Sequence, residues 1–201
     1  MSSLFNLAIL IMSIVVHEVS HGLAALWQGD RTAQYQGRLT LNPIKHIDPV
    51  GSIIVPLLCA LLPGSLMFGW AKPVPYNPYN LKNGRSSEFL VAFAGPLSNL
   101  LIAGLCALVV RTFGAGLPDA TISILAGTIL INLVLAIFNL VPLPPLDGSK
   151  ILSNLLPFQA SQKLNQFYIA YGLFATIFFI FFIWQYFVPV IFWVYRVFLG
   201  V

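Results

Sequence analysis

The chain reads as an all-α polytopic membrane protein. Three observations carry that reading. Of its 201 residues, 58% are apolar and only 8% are charged, where soluble proteins carry roughly a quarter charged residues. Several apolar runs approach or exceed the ~18 residues that a spanning helix needs. The ten Lys/Arg, set against six Asp/Glu for a net charge of +4, are scattered singly in the connecting segments. That scatter argues against a nucleic-acid surface and suits membrane topology. One membrane-embedded domain, residues 1–201, is expected, with no repeat, low-complexity tract or appended soluble unit.

The first span is Leu4–Trp27. As a helix of 24 residues it is ~36 Å long, enough to cross a bilayer core. No basic residue precedes it and its centre is interrupted by polar residues, so it is not a cleavable signal peptide. The interruption is His17-Glu18-Val19-Ser20-His21. An acidic residue near the middle of a spanning helix costs about 2.5–3.5 kcal/mol or more. His17 and His21 stand one turn apart and project from one face. Two imidazoles at that spacing can bind one zinc ion, and the Glu18 between them can act as base on a water held there.

Gly29 ends the helix. Residues 31–41 alternate loosely, with Tyr35, Leu39 and Leu41 among polar neighbours, and suggest a short strand or hairpin. Asn42-Pro43 is a turn signal. Residues 51–68 are apolar, but Pro56 and Pro63-Gly64 leave a helix of only about a dozen residues, short of the ~20 that a span requires. Residues 69–88 form a loop containing Pro73, Pro75 and Pro78, in which Lys72-Pro73-Val74-Pro75-Tyr76 suits an extended chain. Residues 89–110 and 121–141 are clear spans. Residues 149–162 look like an amphipathic surface segment, 164–187 form a fourth span rich in Phe, and Pro189 kinks a C-terminal extension too short to cross alone. Cys59 and Cys106 lie in apolar runs and are read as buried hydrophobes.

Charge sets the topology. If 51–68 is re-entrant or interfacial, Arg31, Arg38, Lys45, Lys72, Lys82, Arg85, Lys150 and Lys163 share one side and Arg111 lies opposite. If 51–68 spans, the basic residues divide almost evenly. The first arrangement satisfies the positive-inside rule. It gives four spans, an outside N-terminus and an HEVSH motif towards the cytoplasm. It also makes the first and 121–141 helices parallel, so that Asp147, just past the end of the latter, can approach the two histidines.

A catalytic zinc needs a third protein ligand. Asp147 has the best context, because it follows a Pro-rich break at membrane depth, where irregular backbone is tolerated around a polar cavity. Asp147-Gly148 also reads as an ordinary helix-end turn. Gly95-Pro96-Leu97-Ser98-Asn99 and the segment from Asn139 through Pro142-Leu143-Pro144-Pro145-Leu146-Asp147-Gly148 complete the pattern. With HEVSH, in this order and each on a hydrophobic segment, they resemble the motifs of the site-2 protease family of intramembrane zinc metalloproteases. His46-Ile47-Asp48-Pro49 and Gly69-Trp70-Ala71-Lys72-Pro73-Val74-Pro75 look like its compact bacterial branch, without PDZ or CBS domains. The resemblance covers residues 4–160, with 164–201 as a helical extension.

The resemblance implies one zinc ion per chain, held by His17, His21 and Asp147. It implies Glu18 as proton carrier, Asn139 as an amide donor to the oxyanion, and a transmembrane protein substrate cut within or near its membrane segment. It implies a multi-pass protein of the bacterial cell membrane. His46 is either an interfacial histidine or a residue close to the metal. Asn99 either bonds a neighbouring helix or steadies the site, and Asn132 is assigned to packing. Residues 69–88, with Lys72, Pro73, Val74 and Pro75, are either a connector or a clamp that binds substrate by strand addition. A metal transporter or a catalytically inactive relative that binds membrane proteins are the competing functions. Both are disfavoured, since Glu18 is not needed as a ligand and no expected catalytic position is missing.

Overall fold

Buried polar side chains and exposed apolar ones set this architecture. The computed structural model describes residues 3–55, 57 and 71–200. Among them, four helical stretches are long and apolar enough to cross a membrane, and there is no strand. Helix α1 (Ser3–Trp27) is followed by a single helical turn, α2 (Thr32–Tyr35). Next come α3 (Arg85–Phe113) and α4 (Asp119–Asn139), then the short α5 (Asp147–Leu155). The chain continues through α6 (Phe158–Phe178), a wide π-turn (Phe179–Ile183) and a tight turn (Trp184–Tyr186) into α7 (Val188–Leu199). The kinked C-terminal extension expected from Pro189 is therefore present, with Pro in the first turn of α7, where its missing N–H costs nothing.

Helix α3 is the hub, packing against α1, α4, α5 and α7. Its buried face includes the small residues Ala103 and Ala107, set against Ile129 and Leu133 of α4 and covered by Val194, Tyr195 and Phe198 of α7. Small residues let helices approach closely where burial of apolar surface offers little gain. The outward faces are apolar: Leu105 is 63% exposed and Ile169 87%, while Asn99 and Asn132 inside the bundle are fully buried. That inversion is what a lipid surround selects.

The expected strand or hairpin at 31–41 is replaced by α2. The Asp30 carboxylate accepts from the Thr32 N–H at 3.1 Å and the Thr32 hydroxyl at 2.6 Å, which starts a turn. Gly37, at φ +61, ends it. The alternation of Tyr35 and Leu41 does not mark a buried face, since both are exposed; Ala33 and Arg38 are the buried residues. The predicted 149–162 surface segment is also divided. Pro157 forces Leu156 into an extended conformation (ψ 152), as a following proline does, so α5 ends there and Phe158 begins the helix that becomes the fourth span.

Asp48 caps a π-turn at Pro49–Ile54 by accepting from Val50 and Gly51 N–H. Most of the remaining 51–68 segment lies outside the described residues. Its flanks, however, meet: the Lys72 N–H donates to the His46 carbonyl at 2.9 Å. Farther on, the Lys82 N–H donates to the Gln28 carbonyl, and the Ser87 hydroxyl to Gln28 Oε1. The chain thus leaves and returns at the same end of the bundle, and α3 starts beside the end of α1. Consequently α1 and α3 are antiparallel, and α4 runs parallel to α1. Reporter domains fused after residue 45 and after residue 80 are expected on the same side of the membrane. Opposite sides would contradict this topology.

Candidate metal centre

Two imidazoles on one face of α1 come first, and α3 fixes both. His17 and His21 are buried, with their rings edge to face, 4.7 Å apart. The His17 Nδ1–H donates to Asn99 Oδ1 at 2.6 Å, and the His21 Nδ1–H donates to the Val91 carbonyl at 2.7 Å. Each Nδ1 is thereby the protonated nitrogen, and each Nε2 keeps its lone pair for a ligand. Val91, Gly95 and Asn99 are spaced four apart and share one face of α3. Gly95 sits between the two bonding positions because nothing larger fits: a Cβ there would lie 2.6 Å from His17 Nε2.

Asn99 is itself held. Its Nδ2 donates to Asn132 Oδ1 at 2.8 Å, and Asn132 Nδ2 donates to the Ser13 hydroxyl and the Thr128 carbonyl, both at 2.9 Å. A buried polar chain therefore runs from His17 through α3 and α4 back to α1. Sequence reasoning offered two roles for Asn99 and assigned Asn132 to packing. Asn132 in fact completes this chain, as does Ser13, which no motif marks.

The third group arrives from the break after α4. The helix unwinds at Leu140. The Pro-rich turn is pinned by α6, since the Tyr168 hydroxyl donates to the Pro142 carbonyl at 2.7 Å and the Thr176 hydroxyl to that of Pro144. Helix α5 then tucks its first residues against the end of α4. Gly148 permits this, for a Cβ there would run into the carbonyl oxygens of Leu140 and Val141. Asp147, at the first position of α5, is delivered to the histidines. Its Oδ2 lies 3.1 Å from His17 Nε2 and 3.2 Å from His21 Nε2, and the two Nε2 atoms are 3.1 Å apart.

These three atoms make a nearly equilateral triangle. Corners of a tetrahedron around an ion with bonds of ~2.0–2.1 Å stand about 3.3 Å apart. The triangle fits a zinc-sized ion that keeps a fourth position open, and two nitrogens with one carboxylate are a common zinc donor set. Among the described residues this is the one cluster of three such groups close enough to hold a metal.

A cavity of about 160 Å³ opens on the triangle, lined by His17, His21 and Asp147 with Glu18, Asn139 and Lys150 among others. The Glu18 carboxylate accepts from the Val74 N–H at 2.8 Å. Asn139 Nδ2 donates to the Leu135 carbonyl one turn back. Pro73 and Val74 also line the cavity, whereas Lys72 and Pro75 do not.

The strap 71–77 that brings Val74 to Glu18 is tied at both ends. Buried Arg38 donates to the carbonyls of Lys72 and Pro73 at 2.8 and 3.3 Å. At the far end, Asp30 accepts from the Asn77 N–H at 2.7 Å. Burial works to raise the Asp30 pKa, but bonds from Thr32, Asn80 and Asn77 outweigh it and hold the carboxyl below its ordinary value. His46 is not in the metal cluster. It is buried, its Nε2–H donates to the Thr40 carbonyl at 2.9 Å, and its own carbonyl receives the Lys72 N–H, so it braces the strap.

Comparison with known proteins adds to this geometry. The profile described as Peptidase family M50 matches residues 117–183, a range that includes Asn139 and Asp147. Over 168 residues the chain is 45% identical to a Bacillus subtilis protein named "Putative zinc metalloprotease YwhC"; the match covers 78% of this chain and 71% of that one. Over 138 residues it is 31% identical to Rip2 of Mycolicibacterium smegmatis and 30% identical to Rip2 of Mycobacterium tuberculosis, both named in the same terms. Those matches cover 69% of this chain and 52% of each relative, so the chain spans about half the length of Rip2. No solved structure gives a significant match.

Removing the group behind a metal-binding imidazole typically costs 10–100-fold in metal affinity. Asn99→Ala is expected to weaken zinc retention by about that factor, read by competition with a chelator in purified protein. Unchanged affinity would show that the polar chain behind His17 does not orient it.

Proposed function

The chain belongs to peptidase family M50, the site-2 protease family, and on that premise we propose that it is an intramembrane zinc protease. It hydrolyses a peptide bond within or near a membrane-spanning segment of another protein. The observation that carries this reading is the triangle of His17, His21 and Asp147 beside Glu18, in one cavity at the end of spanning helices. In this reading the protein sits in a bacterial cell membrane with its N-terminus outside. The site faces the cytoplasm, residues 4–160 carry the machinery and 164–201 extend it.

His17 and His21 each offer an Nε2 lone pair and Asp147 one carboxylate oxygen. A zinc ion bound by them supplies Lewis acidity, which polarises a carbonyl and makes water a stronger nucleophile at neutral pH. Glu18 takes a proton from the attacking water and returns it to the departing amine. The Val74 N–H holds one Glu18 oxygen and so fixes the direction in which the carboxylate works. Asn139, at the cavity wall, turns an amide N–H towards the carbonyl oxygen as charge builds on it. Asn99 and the Val91 carbonyl keep the imidazole rings oriented.

A helical substrate must unwind at the bond to be cut, because the carbonyl to be attacked is otherwise hydrogen-bonded within its own helix. Strand addition along the strap is limited on the enzyme side, because Pro73 and Pro75 have no N–H and those of Lys72 and Val74 bond to His46 and Glu18.

Purified zinc-loaded protein is expected to cleave a synthetic transmembrane peptide. Glu18→Gln is expected to keep its zinc and cleave at least about 10²-fold more slowly, the scale of a lost general base. Equal cleavage by both would refute Glu18 as the proton carrier. Zinc binding without cleavage by either would return the site to metal transport or to a catalytically inactive relative.

A further inference from the structure

Among the described residues one lysine or arginine lines the metal cavity. Lys150 follows Asp147 by three residues on α5, on the same side of that helix, and lines the cavity with Glu18 and Asn139. It is exposed, and among the described residues it enters no ion pair. Its ammonium lies over the Tyr76 ring, 4.9 Å from the centroid. Burial pushes the Tyr76 phenol above its ordinary pKa, while the charge of Lys150 and a hydrogen bond from it pull the other way. A neutral tyrosine holds the ammonium without compensating its charge, which an anion would do.

Lys150 also lines a second, larger cavity of about 280 Å³, walled almost entirely by polar side chains from α3, α5 and α6. The other cation there is committed: Arg85 donates to the carbonyl oxygens of Ser153 and Leu156, both at 2.5 Å. Glu88, the carboxylate on that wall, makes no ion pair with either cation. Among the described residues Lys150 is the cation that lines both cavities, and no carboxylate is paired with it.

Peptide hydrolysis creates an anion between them. The C–N bond breaks, the water oxygen bonds to the carbonyl carbon, and one water proton leaves on the amine. The other proton also ends on the amine, which leaves as an ammonium near neutral pH, so the N-terminal fragment ends in a carboxylate. With a metal ion held there, its charge would attract the carboxylate, so release needs a competing cation, and Lys150 lines the same cavity. We propose that Lys150 receives the new carboxylate and draws it into the larger cavity, which is thus the exit subsite for a peptide C-terminal carboxylate. This rests on the proteolytic reading above, but its test is a binding measurement and needs no turnover.

The test compares binding of N-acetyl-trileucine and its C-terminal amide to the zinc-loaded full chain in detergent, by ligand-detected NMR. Wild type is expected to prefer the acid by about tenfold, the scale of one charge-assisted contact. Lys150→Gln is expected to lose that preference with unchanged zinc content, and Lys150→Arg to retain it. Full acid preference in Lys150→Gln would assign carboxylate recognition to the metal alone and overturn the proposal, as would the absence of any preference in wild type. A chain that cleaves nothing would fail the Glu18 comparison and still give either result here.

Discussion

Imidazoles buried inside a helix bundle must find hydrogen-bond partners without water, and most of this structure follows from that constraint. His17 and His21 each need a fixed acceptor at Nδ1 so that Nε2 remains a ligand. Helix α3 supplies both, an amide oxygen from Asn99 and a main-chain carbonyl from Val91. It can do so only by lying against α1, which Gly95 allows. Asn99 then needs partners of its own, which brings in Asn132 and ties α4 to the same core. Once α4 is parallel to α1 its end delivers Asp147. The order of the helices and the geometry of the site are thus one problem with one solution.

The second dependency runs through the strap. Glu18 sits on the helix beside the histidines, but its carboxylate is aimed by a backbone N–H more than fifty residues away in sequence. The strap reaches it because Arg38 and the His46 carbonyl hold one end and Asp30 the other. This tethering is not free of cost. Among the described residues Arg38 Nε and His46 Nδ1 are buried without a hydrogen bond, and a buried unsatisfied group typically costs about 1–3 kcal/mol. The loop that looked like a connector or a substrate clamp is, on these contacts, first a support for Glu18.

Much of this was legible in the sequence. Apolar run lengths marked the four spans, because a bilayer imposes a length that composition alone reveals. The i, i+4 histidines announced their common face, and a Pro-rich break ending in Asp147-Gly148 pointed to the third group. Other features were hidden for physical reasons. Asn132 and Ser13 carry no local signal, since their role exists only when three helices meet. His46 reads as an interfacial histidine or a residue close to the metal because histidine type says nothing about which carbonyl a ring will find. The 31–41 segment was misjudged because alternating residues imitate a strand when a side-chain oxygen, here from Asp30, has already started a turn.

The central claim is a metal bound by the imidazoles of His17 and His21 and the carboxylate of Asp147. Zinc-edge X-ray absorption on the purified protein carrying one equivalent of zinc reads that shell directly. The account predicts nitrogen and oxygen scatterers at ~2.0–2.1 Å with the outer-shell pattern of two imidazoles. A sulfur scatterer at ~2.3 Å, which would bring in Cys59 or Cys106, or a shell without imidazole, would contradict it.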